Sequence, residues 1–246
     1  MNAITLHNLT LGYERHPAVH HLSGAFEPGS MTAVIGPNGS GKSTLLKGIT
    51  GILRPLGGRI DRGTLKPSQI GYLPQQLEID RSFPITVLDT VILGLWRDIG
   101  MFGGMKRDLW KKVEQSLKTV GLEGFESRAI SNLSGGQFQR VMFARMLLQD
   151  SPVVVLDEPF TSIDAQTTLD LFEVVRRWHA ENRTIIAVLH DFEQVRAYFP
   201  QTLLLARELV GWGKTQQILT DENLLLSRRM SEAWDELAEI CEENEA

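Results

Sequence analysis

Residues 36–44 read GPNGSGKST, a run whose residue types and spacing suit the holding of phosphate. Gly36, Gly39 and Gly41 let the backbone curl so that its N–H groups point inward at an anion. Pro37, Asn38 and Ser40 fill the curl, and Lys42 follows as the cation that reaches the β- and γ-phosphates. The Ser43 hydroxyl suits a Mg²⁺ shell, and Thr44 completes the GxxxxGK[ST] pattern. Residues 153–158 read VVVLDE, an apolar run delivering two carboxylates at its end. Asp157 is a second candidate ligand for Mg²⁺, and Glu158 is placed to polarise an attacking water. The two runs together predict hydrolysis of a nucleoside triphosphate.

A third stretch, LSGGQFQR at residues 133–140, is a second glycine-rich helix start. Capping by Ser134 explains a helix here, but not why Gly135, Gly136 and Gln137 repeat the features of an anion-binding turn. The chain has no Asn-Lys-x-Asp run of the kind that reads guanine, and no arginine finger is evident.

Alternating and apolar stretches supply the elements that must position these groups. Ile4 to His7 and Leu9 to Tyr13 read as strands with a turn or bulge at Gly12, and Thr32 to Ile35 is a strand running into the loop at Gly36. The spacing of Leu45, Leu46 and Ile49 predicts a helix over residues 43–50, and residues 70–73 a strand stopped by Pro74. Between about residues 76 and 132 the pattern turns helical. Val87, Leu88, Val91, Ile92 and Leu95 form one stripe and Leu109, Val113, Leu117 and Val120 another, separated by the glycines of residues 100–104. Helix and strand then alternate through residues 153–156, 169–178 and 184–189, which implies a largely parallel, buried sheet. Residues 203–206 and 209–212 read as a closing hairpin. Trp234, Leu237 and Ile240/Cys241 give the acidic end of the chain a helical spacing.

On the runs GPNGSGKST, VVVLDE and LSGGQ, in that order, the chain resembles the ATP-binding cassette (ABC) family over almost its whole length. The resemblance implies an α/β fold: a P-loop NTPase (RecA-like) mixed-sheet core with an antiparallel β subdomain and an inserted α-helical subdomain at about residues 76–150. It implies an ATPase domain over residues 1–227 and an acidic amphipathic tail over 228–246. ATP and Mg²⁺ are the implied ligands. In that family two subunits pair head-to-tail, so Ser134, Gly135, Gly136 and Gln137 would face the partner's phosphate loop. Tyr13 matches the aromatic that stacks on adenine, and Gln75 the glutamine that touches Mg²⁺ or the water, with Gln76 adjacent. Asp164, in Ser-Ile-Asp at residues 162–164, matches a dimer contact, and His190 the histidine at the γ-phosphate. Glu158, His190 and Lys42 are thereby the implied catalytic set, and Ser43, Gln75 and Asp157 the Mg²⁺ set.

A finer resemblance lies in RSFPITVLDT at residues 81–90, followed by VILG, and in LHDFEQVR at residues 189–196. These runs are similar to the zinc/manganese importer ATPases, and parts of them also to iron-chelate and vitamin importers. The implied partners are a second copy, an integral membrane permease contacting residues 75–85 (Phe83, Pro84 and Ile85 among them), and, indirectly, an extracytoplasmic metal-binding protein. A soluble ABC ATPase acting on DNA or ribosomes is the alternative class; long coiled-coil insertions, duplicated cassettes and basic extensions, usual in those relatives, are absent here.

Bulk properties agree. A net charge of −5 offers no general basic surface for displacing counterions from nucleic acid. One cysteine, Cys241, cannot form an internal disulfide. No apolar run approaches the roughly 18–20 residues that span a bilayer, and the N-terminus lacks a basic start, so the expectation is a cytosolic-type chain held at the cytoplasmic face of a membrane by its permease. His16, His20 and His21, with only Glu14 nearby as a carboxylate, read as a solvated turn rather than a metal site.

Overall fold

The computed structural model describes residues 3–14, 16–75, 79–100 and 103–236, with side chains to residue 232. Its centre is a six-stranded sheet in the order β5-β6-β7-β3-β8-β9. It is built from β3 (Met31–Ile35), β5 (Ile70–Leu73), β6 (Val153–Asp157), β7 (Thr184–Val188), β8 (Gln201–Ala206) and β9 (Glu208–Lys214). Pairing is parallel throughout except between β8 and β9, the closing hairpin. Every residue of β3, β6 and β7 is buried, as expected of strands covered on both faces.

The two faces lead to two cores. Met31, Ala33, Ile35, Val154 and Leu156 belong to one, while Val34, Val153, Val155, Ile186 and Val188 belong to the other. The second core also holds α1 (Lys42–Thr50) through Leu45, Leu46 and Ile49. Above it lies a three-stranded antiparallel sheet, β2-β1-β4, of β1 (Ile4–Tyr13), β2 (His16–Phe26) and β4 (Gly57–Asp61). The β1–β2 ladder shifts register between Leu6 and Leu9 and twice more before Gly12, bulges that bend the strand.

Between β5 and β6 lie α2 (Val87–Ile92), α3 (Trp96–Ile99), α4 (Arg107–Thr119) and α5 (Gly135–Gln149). The stripe expected to form one helix through Leu95 is broken by a 3₁₀ turn at Leu93–Leu95. Gly94 sits where a Cβ would collide with the Arg145 carbonyl oxygen of α5. The chain tightens there because two backbones pass in near contact. The first core is further tied by stacked rings: Phe143 with Trp178 at 5.7 Å and Phe160 with Phe172 at 4.0 Å between centroids. Phe172 and Trp178 belong to α6 (Ala165–Ala180). Past β7 come α7 (Phe192–Tyr198), α8 (Thr215–Ile218) and α9 (Asp221–Glu236).

The histidine turn is corrected: His16, His20 and His21 lie within β2. The Tyr13–His16 pairing places all three histidines beyond the reversal of the chain between β1 and β2. His20 is buried, its N–H donating to the Arg207 carbonyl at 2.7 Å, and burial pushes its imidazole below the ordinary value. Among the described residues no group of three or more His, Cys, Asp or Glu is arranged to hold a metal ion. At the other end, α9 runs unbroken across residues 227 and 228, where the sequence reading sets the start of the tail. Gln76, Leu237, Ile240, Cys241 and the side chain of Trp234 lie outside the described residues.

Candidate active site

The site forms where β3, β6 and β7 end on the same side of the sheet, the edge at which parallel sheets collect ligands. β3 runs into the loop of residues 36–41, and α1 starts at Lys42 with Gly41 as its N-cap. Gly41 takes the left-handed conformation (φ 90°) and offers no side-chain cap, so the first N–H groups of α1 point at the loop's interior. A Cβ on Gly41 would also collide with the Ala18 carbonyl oxygen of β2. Gly41→Ala is therefore expected to open the loop and weaken ATP binding at least tenfold, checked by nucleotide titration alongside thermal melting.

Lys42 is buried, and its ammonium donates to the carbonyls of Gly36 (3.0 Å) and Pro37 (2.7 Å). Burial holds its pKa below that of an ordinary lysine, and the carboxylates of Glu158 and Asp157 pull it back upward. The Ser43 hydroxyl donates to Asp157 at 3.1 Å, and the Tyr72 hydroxyl reaches the other oxygen of Asp157 at 3.4 Å. Thus α1, β5 and β6 bring a hydroxyl, a phenol and a carboxylate to one point. Hydroxyl and carboxylate oxygens are hard donors of the kind Mg²⁺ prefers, so Ser43 and Asp157 fit that ion.

Glu158 follows Asp157 in a left-handed conformation (φ 50°), unusual for a residue with a Cβ and costing about 1 kcal/mol or more. The strain turns its carboxylate into three contacts. Gln75 Nε2 donates to Oε2 at 2.9 Å, the Thr161 hydroxyl approaches the same oxygen at 3.4 Å, and His190 Nε2 lies 2.7 Å from Oε1. Gln75, Glu158 and His190, separated by 83 and 32 positions in sequence, therefore form one cluster beside the phosphate loop.

Ser134 caps α5, accepting from the Gln137 N–H at 3.2 Å, while the Gln137 side chain accepts from the Ser134 N–H at 3.1 Å. This capping box serves the helix itself. Asp164 caps α6, and the position of a Cβ on Gly136 lies 3.5 Å from its carboxylate. The Thr167 N–H and hydroxyl hold Asp164 below the usual carboxylate range. Tyr13 stands half-exposed at the end of β1, opposite His16.

The structure adds residues that sequence reasoning passed over. Thr161 and Tyr72 join the carboxylates as described. The buried Gln139 amide donates to the Pro159 carbonyl at 2.7 Å, fixing the turn after Glu158 to α5. Arg81 donates to the Leu133 carbonyl, and its guanidinium lies 4.7 Å from the centre of the Phe138 ring. The segment after β5 is thereby tied to the start of α5. Only Tyr72 left a trace in sequence, as a polar-tipped aromatic in an apolar strand.

Residues 19–161, more than half of the chain, match the ABC transporter family model. The chain belongs to the ABC transporter ATPase family. Its similarity to curated ABC proteins runs nearly end to end. It is 39% identical over 228 residues to the manganese transport system ATP-binding protein MntB of Halalkalibacterium halodurans, covering 89% of each chain. It is 37% identical over 216 residues to the manganese transport system ATP-binding protein MntA of Synechocystis, covering 85% of this chain and 83% of that one. Among solved structures, an ABC transporter in an inward-facing conformation superposes with a TM-score of 0.81 at 31% identity, covering 93% of this chain and 90% of the other. A dimeric bacterial ABC transporter cassette superposes with a TM-score of 0.76 at 27% identity, covering 86% and 98%. Among the described residues, no helix is long and apolar enough to cross a membrane. The ABC subunit is an ATPase of a transporter.

Proposed function

We propose that this ABC ATPase drives an importer for a divalent metal ion, manganese or zinc. The observation that carries the reading is its 35–39% identity, over most of its length, to several ATP-binding proteins named for manganese transport, together with the complete carboxylate cluster around Glu158. In this reading Tyr13 stacks on adenine, residues 36–44 cradle the phosphates, and Lys42 neutralises the β- and γ-phosphates. Mg²⁺, held by Ser43, Asp157 and Gln75, supplies further neutralisation of phosphate charge. Glu158 takes the proton of the attacking water, and His190 holds Glu158 and the γ-phosphate in line.

Two copies pair head-to-tail, with Ser134 to Gln137 of each facing the cradle of the other and Asp164 at the contact. Closure on ATP and reopening after hydrolysis is the rigid-body motion passed to the permease. The permease docks on residues 75–85, where Phe83 is 64% exposed, a cost that a partner would remove. The subunit then sits at the cytoplasmic face of the membrane and never touches the ion, which an extracytoplasmic binding protein selects. Uptake of radiolabelled manganese and zinc by cells lacking this chain checks the reading. Loss of uptake of one of them, restored by the wild type but not by Glu158→Gln, is the expected result, and unchanged uptake of both would overturn it.

A further inference from the structure

We propose that Arg228, on α9, is an additional cation of the nucleotide site, acting on the terminal phosphate. The inference rests on the assignment of residues 36–44 as the phosphate cradle. A cleft of about 240 Å³ opens beside Pro37, Asn38 and His190, and its opposite wall is α9, which contributes Leu224, Ser227 and Arg228. The cleft therefore lies at the hydrolytic end of the site, next to the histidine that meets Glu158, and Tyr13 is not part of it. A charge placed there acts on the outermost phosphate rather than on the base.

The wall is fixed. Leu224 packs against the larger core, and Ser227 is buried with its hydroxyl donating to the Leu224 carbonyl at 2.8 Å. Just before α9, the Leu219 carbonyl accepts from Arg196 at 3.0 Å, and the Ile218 carbonyl accepts from the Asn223 amide at 3.0 Å. Arg228 is thus carried on an anchored turn, yet its side chain is exposed and forms no ion pair with a described residue. Within the site Lys42 faces two carboxylates, Asp157 and Glu158. A bound triphosphate adds several negative charges, which a cation at the rim attracts at short range. Arg229, the next residue, carries the same charge but does not line the cleft.

Steady-state ATPase kinetics and ADP titration on the full chain test this. Arg228→Glu is expected to raise KM for ATP about three- to tenfold, to leave kcat and ADP affinity within about twofold, and to be largely rescued in Arg228→Lys. Arg229→Glu is expected to behave as wild type. An unchanged KM in Arg228→Glu, or an equal rise in Arg229→Glu, overturns the inference. Lys42→Ala separates the two readings. Loss of ATP binding there, with no effect of Arg228→Glu, sinks this inference alone, whereas retained binding sinks the cradle assignment with it.

Discussion

Glu158→Gln is expected to bind ATP as well as the wild type while turning it over about a hundred- to ten-thousand-fold more slowly. The amide has the shape of the carboxylate, so it can keep its place among Gln75, Thr161 and His190. What it loses is basicity. The adjacent carboxylate, Asp157, is already engaged by Ser43 and Tyr72 and, in the proposed function, serves Mg²⁺. Binding groups on α1 and in the phosphate loop are untouched, so ATP should remain bound and the closed dimer should accumulate. Single-turnover hydrolysis and light scattering with ATP check both parts. Hydrolysis at the wild-type rate would show that another group serves as the base.

The second large effect falls outside the chain's own cradle. Ser134→Arg removes a hydroxyl and fills a glycine-rich helix start with a bulky cation. Within the subunit this disturbs one capping box, worth about 0.5–2 kcal/mol, so the chain should still fold. Turnover is nevertheless expected to fall about a hundred- to thousandfold, the cost of losing a donor aimed at transition-state charge. Mixing provides the decisive measurement. Ser134→Arg and Lys42→Ala subunits are each inactive as pure dimers, but a head-to-tail pair of one with the other contains one intact composite site. Random exchange should restore up to about a quarter of wild-type activity. If no activity returns, Ser134 serves its own subunit and the head-to-tail arrangement is wrong.

The parts of the site that depend on local chemistry were legible in sequence. The loop at residues 36–44 can be read because glycine spacing dictates its backbone, and strands β3, β6 and β7 because doubly buried strands are continuously apolar. Ser134 was visible as a cap, whereas the capping of α6 by Asp164 was not. What escaped depends on tertiary packing. The break at Gly94 follows from how closely α5 passes, which no stripe of apolar residues encodes. The stretch holding His16, His20 and His21 reads as a solvated turn because its side chains are polar, whereas pairing with β1 makes it the start of β2 and buries His20. Arg81 gave no local sign that its guanidinium would reach the Leu133 carbonyl, 52 positions away. The meeting of Gln75, Glu158 and His190 was implied by family resemblance, and no pattern within the sequence itself would have joined them.

That meeting has an operational consequence. The three neighbours of the Glu158 carboxylate come from three places: the segment leaving β5, the turn after β6 and the end of β7. One of those places is, in the proposed function, also the face offered to the permease, and another borders the phosphate loop. Glu158 is wired like a gate with three inputs, so displacement of any one arm shifts the carboxylate. In the proposed importer, a push from the membrane partner on the segment leaving β5 would then reach the base through one amide, so docking should change the pace of the motor, as a load changes the pace of an engine.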